Sequence, residues 1–431
     1  MSRGISILLL AMVLGACSRE NPDTSWKPAP EPDLPVPEEF ADYIPLPVPE
    51  DTTRVQPMTG IVLWTDNPRN TSSAIQLEYS YMRYCDICVQ QGVYNWAPVD
   101  NLLAEVAARG HQAILRFYYT YVGEECAVPA YIKALPDYEE TVGKSEGERT
   151  CFPDWRCPEL RRFHLEFYQK FAGRYDSDSR LAFLETGFGL WAEYHIYDGP
   201  YIAGRTFPSA EFQAEWLRKM DGWFLHTPWC ISIDAAEYGP FEDDRDLLEC
   251  SFGNFDDSFM CDEHDRYNAV NWQFFGKERY RRAPLGGEFS YYTTKDQKHC
   301  LDATGIHGRT FEAEAARFHL TFIIGNDQPD YQKMSRIESA GMATGYRFRA
   351  RQFLMKEGTG AAVLVENSGI APIYRDAFLA VDGVRSEFNL RTLMPGEQAW
   401  IPVEYPSVSA SATLTVECDH LLPNQRIGIG C

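Results

Sequence analysis

The feature of this sequence that most constrains its fold is an alternation of short apolar runs with amphipathic segments between residues 58 and 345. Short apolar runs predict buried strands, and apolar residues recurring every third or fourth position predict helices. The strands are predicted at residues 60–64, 76–83, 113–118, 181–186, 230–234, 247–255, 283–287 and 319–324. The helices between them are predicted at residues 98–109, 158–174, 209–225, 267–280 and 310–317.

Strands that alternate with helices in this way indicate an α/β fold, and eight of them are typical of a (β/α)8 TIM barrel. A doubly wound sheet produces a similar alternation, so that alternative stays open. Past residue 345 the helical periodicity fades, and short strands separated by turn residues predict a small β-sandwich. We therefore predict a barrel over residues 58–345 and a sandwich over residues 346–431.

The N-terminus has the features of a targeting signal. Arg3 precedes an apolar run at residues 5–13, which is far shorter than the roughly 20 residues of a membrane-spanning helix. The run ends in L-G-A-C, which resembles the lipobox of bacterial lipoproteins. That resemblance implies cleavage before Cys17 and lipidation of its thiol, and Ser18 favours the outer membrane, with the protein periplasmic or at the cell surface. An ordinary signal peptide with a chance cysteine is the alternative.

Residues 18–57 contain ten prolines, nine acidic residues and three basic ones. Such a segment buries too little apolar surface to offset its ordering entropy, so we predict an extended tether. With residues 1–17 as signal peptide and lipobox, the chain would contact the membrane only through its N-terminal lipid.

Charge excludes one class of partner and leaves another open. The formal net charge is −22, because 62 Asp and Glu oppose 40 Lys and Arg, and such a surface repels nucleic acid. The chain is rich in aromatic residues (14%), whose flat faces are surfaces on which sugars and other rings stack. Packing in the core explains that richness equally well.

Twelve cysteines in an exported chain predict disulfides. If Cys17 carries a lipid, an odd number remains, and Cys230 is our candidate for the free thiol because it lies in a predicted buried strand. Cys418 and Cys431 are a candidate pair. The C-x-x-C at residues 85–88 lacks a thioredoxin-like context, and we interpret it as structural.

Function in a barrel lies at the C-terminal ends of the strands, where two glutamates stand out. Glu193 follows the fourth predicted strand and Glu288 follows the seventh, each in glycine-containing backbone beside aromatic residues. One protonated and one ionised carboxyl group are the apparatus of glycoside hydrolysis. Trp191 and Tyr194 would raise the pKa of Glu193 by desolvation. Either glutamate alone would more commonly be a helix cap or an ion-pair partner.

Residues 181–195, L-A-F-L-E-T-G-F-G-L-W-A-E-Y-H, resemble the signature E-x-G-x-x-G-x-W-G-E-W-H of a bacterial family of glycoside-hydrolase-like barrels. Further matching pieces lie at residues 116–119, 174–176, 345–348 and 366–374, so the resemblance spans most of residues 58–385. The architecture is also similar to clan A glycoside hydrolases. That resemblance implies Glu193 as acid/base and Glu288 as nucleophile. We therefore predict a retaining mechanism that acts on a glycosidic bond in extracellular or envelope polysaccharide.

Two departures from these patterns affect the mechanism more than the fold. Clan A enzymes usually have Asn before the acid, where this chain has Ala192, and the family's W-G-E-W-H is W-A-E-Y-H here. A carbohydrate-binding surface lipoprotein without turnover is therefore the main alternative to an enzyme.

Other residues at predicted strand ends are candidates for substrate binding. Arg83 and Arg116 would hold a nucleophilic carboxylate ionised, although ordinary ion pairs are an equal alternative. His195 would contact the substrate or hold Glu193 in place. The remaining candidates are Trp191, Asp256, Asp257, Tyr291, Tyr292, Asn326 and Asp327.

Two competing motifs lack the context that their functions require, and a third motif is absent. The G-x-G-x-x-A at residues 187–192 would have to open a helix, but Y-D-G-P follows at residues 197–200. Adjacent residues in C-D-E-H-D at 261–265 cannot all face one metal ion. No G-x-S-x-G elbow is present. We therefore predict no metal, no cofactor, and a polysaccharide or oligosaccharide as the partner.

Overall fold

The computed structural model describes residues 32–50 and 54–430. Eight parallel strands close into a barrel, in which each strand pairs with its neighbours in chain order and the eighth pairs with the first. The strands are β1 (Gly60–Trp64), β2 (Leu77–Arg83), β3 (Gln112–Tyr118), β4 (Leu181–Thr186), β5 (Trp229–Ser232), β6 (Phe252–Phe259), β7 (Leu285–Phe289) and β8 (Phe322–Ile324). Closure confirms the predicted TIM barrel and excludes the doubly wound sheet.

Helices and turns follow the barrel strands. The helices of seven residues or more are α1 (Ala97–Ala108), α2 (Pro158–Tyr175), α3 (Ala210–Trp223), α4 (Asn268–Phe274), α5 (Phe311–Arg317) and α6 (Met334–Met342). Shorter helices are Tyr84–Ile87, Ala130–Lys133, Ala235–Tyr238, Thr294–His299 and Gln328–Tyr331. Two hairpins, Cys88–Gln90 with Val93–Tyr94 and Thr141–Ser145 with Glu148–Phe152, are inserted around β3.

The C-terminal part consists of two mainly antiparallel sheets. Its strands are β9 (Phe348–Lys356), β10 (Gly360–Asn367), β11 (Ala377–Val381), β12 (Val384–Asn389), β13 (Gln398–Glu404), β14 (Leu414–Cys418) and β15 (Ile429–Gly430). β9, β10, β13 and β15 form one sheet together with the N-terminal strand Ile44–Leu46, and β11, β12 and β14 form the other. Buried side chains of both sheets, such as Val363 and Leu379, belong to one apolar cluster. The two sheets agree with the fold class predicted for this region.

The same apolar cluster closes the N-terminal end of the barrel. Phe183 near the start of β4 stacks on Phe322 at the start of β8, with ring centroids 5.3 Å apart. Tyr346 and Phe348 join the cluster from the segment that enters the C-terminal sheets. The barrel therefore has one sealed end, and its open end is opposite.

The tether prediction is wrong for the described part of residues 18–57. Ile44–Leu46 pairs antiparallel with β9, and the buried Phe40 packs against Leu354. Lys356 contacts the Asp42 carboxylate on the same face. Proline fits an edge strand because its missing N–H can face away from the ladder, so a proline-rich segment can still pack. We call residues 32–50 the strap.

The predicted signal peptide and Cys17 lie outside the described residues. No helix within residues 32–50 and 54–430 is long and apolar enough to cross a membrane. The disulfide prediction is not supported, because all ten cysteines in the described part of the chain are free thiols. Nine of these ten are buried, Cys230 and Cys418 among them, so they pack as small apolar side chains. Cys431 is not described.

Candidate active site

A cavity of about 800 Å³ opens at the C-terminal ends of the barrel strands. Nine aromatic residues line it: Trp64, Tyr81, Tyr121, Trp191, Tyr197, Tyr238, Tyr267, Tyr291 and Tyr292. Eight acidic residues also line it: Glu146, Glu193, Asp234, Asp256, Asp257, Glu263, Glu288 and Asp327. Both predicted catalytic glutamates therefore face one aromatic-walled space.

The loop after β4 is folded tightly enough to require its glycines. The backbone N–H groups of Phe188 and Gly189 both donate to the carbonyl of Glu193, at 3.0 and 2.8 Å. A Cβ on Gly189 would lie 1.7 Å from the carbonyl oxygen of His195, so only glycine fits there. The G-x-G pattern at residues 187–189 thus serves a compact loop that aims Glu193 at the cavity.

Two residues before Glu193 adopt an unusual backbone conformation. Trp191 and Ala192 have φ angles of 49° and 57°, in the left-handed region that residues with a side chain seldom occupy. Strain of this kind persists where surrounding structure holds it, and the Trp191 N–H donates to the Thr120 carbonyl at 2.9 Å. The backbone conformation turns the Trp191 ring and the Glu193 carboxyl toward the same cavity.

His195 bridges two carboxylates of the cavity wall. Its Nε2 lies 2.5 Å from Oε2 of Glu193, and its Nδ1 lies 3.2 Å from Oδ1 of Asp234. The Ser232 hydroxyl donates to the other oxygen of Asp234. All three members of this Glu193–His195–Asp234 triad have side chains less than 15% exposed. His195 therefore holds Glu193 in place, the second of the two roles predicted for it.

Burial controls the ionisation of the triad. Desolvation raises the pKa of Glu193 to about 7, although the adjacent His195 opposes the rise. Burial lowers the pKa of His195, but the two flanking carboxylates outweigh it and leave that pKa well above the usual value. The charge of His195 keeps the pKa of Asp234 below its usual value despite burial. Glu193 can thus keep a proton near neutral pH while its neighbours are charged.

Arg116 lies buried beneath the cavity and joins several polar groups. Its Nη1 donates to Asp257 at 2.7 Å and contacts Glu185 on β4 at 3.4 Å. Its guanidinium also stacks over the ring of Phe255, 4.2 Å from the centroid. The side chain is only 1% exposed. Arg116 was predicted as a candidate for substrate binding. Its burial beneath the cavity instead makes it a positioning residue.

Glu288, at the end of β7, is the other predicted catalytic residue. Its Oε1 is buried and has no hydrogen-bond partner, although its side chain lines the cavity. Burial raises the pKa of Glu288 well above its usual value, and the negative charge of Asp257 adds to the rise. Arg116 acts in the opposite direction. The Glu288 side chain thus faces the cavity, and its pKa depends on the charges around it.

The other predicted site residues have mixed outcomes. Trp191, Asp257, Tyr291, Tyr292, Asn326 and Asp327 all line the cavity. Asn326 also holds two loops together, because its Oδ1 accepts from the Trp64 N–H at 3.0 Å and from Asn67 at 2.9 Å. Asp256 lines the cavity but is bound by Asn268 and Trp272, so its role is structural.

Arg83 does not fit its prediction. The side chain is 44% exposed and forms a long ion pair with Asp86, 3.9 Å apart, and Arg83 is not among the residues that line the cavity. Strand alternation would put Arg83 on the same face as Tyr79 and Tyr81, which is why it was a candidate. However, β2 ends at Arg83 and a short helix begins there, so the side chain lies at the rim.

Four acidic residues at the site were missed from the sequence: Glu146, Glu185, Asp234 and Glu263. Glu185 is buried inside the barrel, where desolvation raises its pKa to about 8. A lone charged residue in an apolar strand was the signal that could have identified it. Asp234 was placed inside a predicted strand, but β5 ends at Ser232, which puts Asp234 in the loop that faces the cavity. The aromatic residues of the loops carry no comparable signal in the sequence.

The Glu193–His195–Asp234 triad is also the group in the cavity that could hold a cation. One ligand atom of each residue lies within 4.8 Å of the others. Both ring nitrogens of His195 already contact carboxylates, so binding a metal would require one of these contacts to break. In the loop at residues 261–265, by contrast, His264 is buried against Glu314 and Glu263 faces the cavity.

Comparison with known proteins yields similarity only to solved structures. No family model and no curated protein matches the chain. Endo-glycoceramidase II from Rhodococcus sp. is 10% identical, with a TM-score of 0.43 over 86% of this chain and 99% of that chain. A GH5_18 protein from Streptomyces cattleya in complex with GlcNAc is 11% identical, with a TM-score of 0.38 over 67% of this chain and 79% of that chain. A GH36 α-galactosidase from Geobacillus stearothermophilus in complex with stachyose is 11% identical, with a TM-score of 0.40 over 86% of this chain and 56% of that chain.

Proposed function

We propose that this protein hydrolyses a glycosidic bond in extracellular or envelope polysaccharide, with retention of anomeric configuration. The observation that carries the proposal is the presence of Glu193 and Glu288 in one aromatic-walled cavity at the open end of the barrel. Function at this end is general for the fold. Sugar rings stack on aromatic faces, and two carboxyl groups suffice for the chemistry.

In the proposed mechanism Glu193 is the acid/base. It donates its proton to the glycosidic oxygen as the bond from the anomeric carbon to that oxygen breaks. Its pKa of about 7 leaves it protonated at mildly acidic pH. His195 fixes the carboxyl orientation through the 2.5 Å contact. As the leaving sugar departs, a carboxylate oxygen of Glu288 bonds to the anomeric carbon and forms a covalent ester. Ionised Glu193 then removes a proton from water, which attacks the anomeric carbon, breaks the bond to Glu288 and releases the second sugar.

Glu288 is the proposed nucleophile, and it must be ionised to attack. Its raised pKa is the result of burial together with the neighbouring carboxylates. Arg116 is the buried cation that favours the ionised form, and its 2.7 Å contact with Asp257 fixes it in place. We infer that Arg116 and Asp257 position the charge that the nucleophile needs.

A binding protein without turnover is the second candidate, and two observations favour it. Ala192 supplies no side-chain amide next to Glu193, and burial opposes ionisation of Glu288. In this alternative the same cavity binds a sugar and releases it unchanged.

The test is hydrolysis of a panel of polysaccharides and oligosaccharides by the wild type, Glu193→Gln and Glu288→Gln. We expect each variant to lose about 1,000-fold or more in kcat/KM while its folding is unchanged. Glu404→Gln, the same substitution at an exposed position on β13 outside the cavity, is the matched control and should keep full activity. Proton NMR of the first product should show the retained anomer, and the inverted anomer would contradict the retaining mechanism. Binding without any product would establish the second candidate.

We also propose that Cys17 is lipidated and anchors the protein to the outer membrane. Metabolic labelling with a radioactive fatty acid should mark the wild type, and Cys17→Ser should abolish the label. Labelling that survives this substitution would contradict the anchor.

A further inference from the structure

The charge of the cavity goes beyond what two catalytic carboxyl groups need. Among the described residues that line it, eight are acidic and none is Lys or Arg. His195 is the lining residue that supplies positive charge, and it is already shared between Glu193 and Asp234. Arg116 lies beneath the cavity and serves Asp257 and Glu185. The cavity therefore keeps an excess of negative charge.

In two of these acids, one carboxyl oxygen has no hydrogen-bond donor. Oδ1 of Asp257 and Oε1 of Glu288 are buried without a partner. A buried acceptor with no donor is costly, and the cost is larger for a charged group. An ammonium group carries three N–H donors and a positive charge, so one bound in the cavity beside Glu288 would offer hydrogen bonds to the carboxylates there and lower the pKa of Glu288.

The aromatic wall suits a cation as well. The rings of Trp191 and Tyr197 stack with centroids 5.7 Å apart, and Tyr121 meets Trp191 edge-on at 6.0 Å. Tyr291 and Tyr292 are 50% and 71% exposed at the mouth. Aromatic faces attract ammonium groups as well as sugar rings, so a sugar that carries an amine gains from both interactions.

From these observations we infer that the substrate is a cationic glycan, an oligosaccharide or polysaccharide that contains amino sugars with free amines. The inference rests on the proposed function and specifies the substrate of the same site. Anionic glycans, such as those built from uronic acids, are excluded by repulsion from the same carboxylates. N-acetylated sugars lose the charge and with it the advantage.

The test compares two ligands that differ only in that charge. Glucosamine hexamer and its fully N-acetylated counterpart are titrated calorimetrically into full-length Glu193→Gln protein at mildly acidic pH. We expect the free-amine hexamer to bind about 10-fold tighter or more at low salt, and to lose that advantage as ionic strength rises. A galacturonate hexamer should not bind. Equal or tighter binding of the acetylated hexamer would overturn the inference.

Because the whole chain carries a charge of −22, attraction to its general surface must be separated from binding in the cavity. Asp327→Asn removes one cavity charge, and Glu404→Gln removes one exposed charge on β13 of the C-terminal sheet. We expect Asp327→Asn to weaken binding of the free-amine hexamer about 3- to 10-fold and Glu404→Gln to leave it unchanged. Equal losses in both variants would show attraction to the surface and overturn the inference.

Wild-type activity distinguishes failure of the inference from failure of the proposed function. Selective binding of the free-amine hexamer with no cleavage of any glycan would refute hydrolysis and leave the inference intact. Cleavage of neutral glycans without preference for the amine would support hydrolysis and refute the inference.

Discussion

The two ends of the barrel are built from the same eight strands, yet they differ in polarity, charge and burial. At the N-terminal end, Phe183, Phe322 and Phe348 form a buried apolar cluster with the C-terminal sheets. At the other end, Glu193 and Glu288 face a cavity walled by aromatic and acidic residues. The closed end contributes apolar burial to stability, whereas the open end contains buried carboxyl groups whose raised pKa values oppose folding at high pH.

This contrast shows that a barrel can contain buried carboxyl groups that lower its stability, because they are confined to one end. Buried carboxyl groups with raised pKa values, such as Glu185 and Glu288, destabilise the folded state once pH rises through those values. The apolar cluster at the other end is not affected by pH. Substitutions at the closed end should therefore change stability, and substitutions at the open end should change activity.

The largest effect on stability is expected for Phe322→Ala at the closed end. Phe322 is fully buried and stacks on Phe183, so its loss leaves a cavity and should lower the free energy of unfolding by about 3–5 kcal/mol. Urea denaturation would measure the change. The matched control is Tyr292→Ala at the open end, where the ring is 71% exposed and little stability should be lost. Equal losses in the two variants would remove the contrast.

At the open end, Gly189→Ala should strongly reduce activity because Gly189 lies in the loop that positions Glu193. The added Cβ would meet the His195 carbonyl oxygen at 1.7 Å, so the loop that carries Glu193 must shift. A displacement of about 1 Å costs roughly 100-fold in rate, which should appear in kcat more than in KM. Gly173→Ala in α2, where a Cβ meets nothing within 4 Å, is the control and should retain full activity. Full activity of Gly189→Ala would show that the loop geometry is not critical.

His195→Gln should move the pH profile without abolishing activity. Activity requires protonated Glu193, so in the wild type it should fall as pH rises through about 7. His195 lowers the pKa of Glu193, and removal of its charge should move this limb upward by about one pH unit. Profiles of kcat/KM against pH would show the shift. Tyr238→Phe, which keeps the ring beside His195, should leave the limb in place.

The smallest effect is expected for Arg83→Ala. Arg83 is exposed at the rim and its ion pair with Asp86 is long, at 3.9 Å, so kcat/KM should change by less than about twofold. A loss of tenfold or more in kcat/KM would contradict this expectation and show that the functional site includes Arg83, outside the cavity.

Much of the barrel could be predicted from the sequence because its strands are buried on both sides. The strands at residues 60–64 and 181–186 were predicted with the bounds that the structure shows, since continuous apolar runs leave little ambiguity. The sixth strand was predicted at residues 247–255, whereas β6 is Phe252–Phe259. The apolar Leu247 and Leu248 belong to a 3-10 turn, and the real strand continues through polar residues that face the cavity.

The site was less predictable than the fold because it depends on loops. Glu193 and Glu288 were identified because each follows a predicted strand, and strand ends are a property of the sequence pattern. In the structure Glu288 is the fourth of the five residues of β7. Tyr238 ends the short helix Ala235–Tyr238 and Tyr267 lies just before α4, and no local pattern predicts that these connections bring both rings to the cavity. The strap was predicted as a tether because composition reports average burial. It is held by a few specific contacts, the packing of Phe40 on Leu354 and the pairing of Ile44–Leu46 with β9, which composition does not reveal.

The strap has a consequence for how the protein behaves when it is shortened. Ile44–Leu46 covers Phe353–Met355 along β9, so a recombinant form that begins at residue 54 would leave the hydrogen-bonding groups of that strand open to water. Such an edge is a template for strands of other molecules. The strap therefore prevents this edge of β9 from pairing with other molecules. A form that begins at residue 54 should precipitate at concentrations at which the longer chain stays in solution.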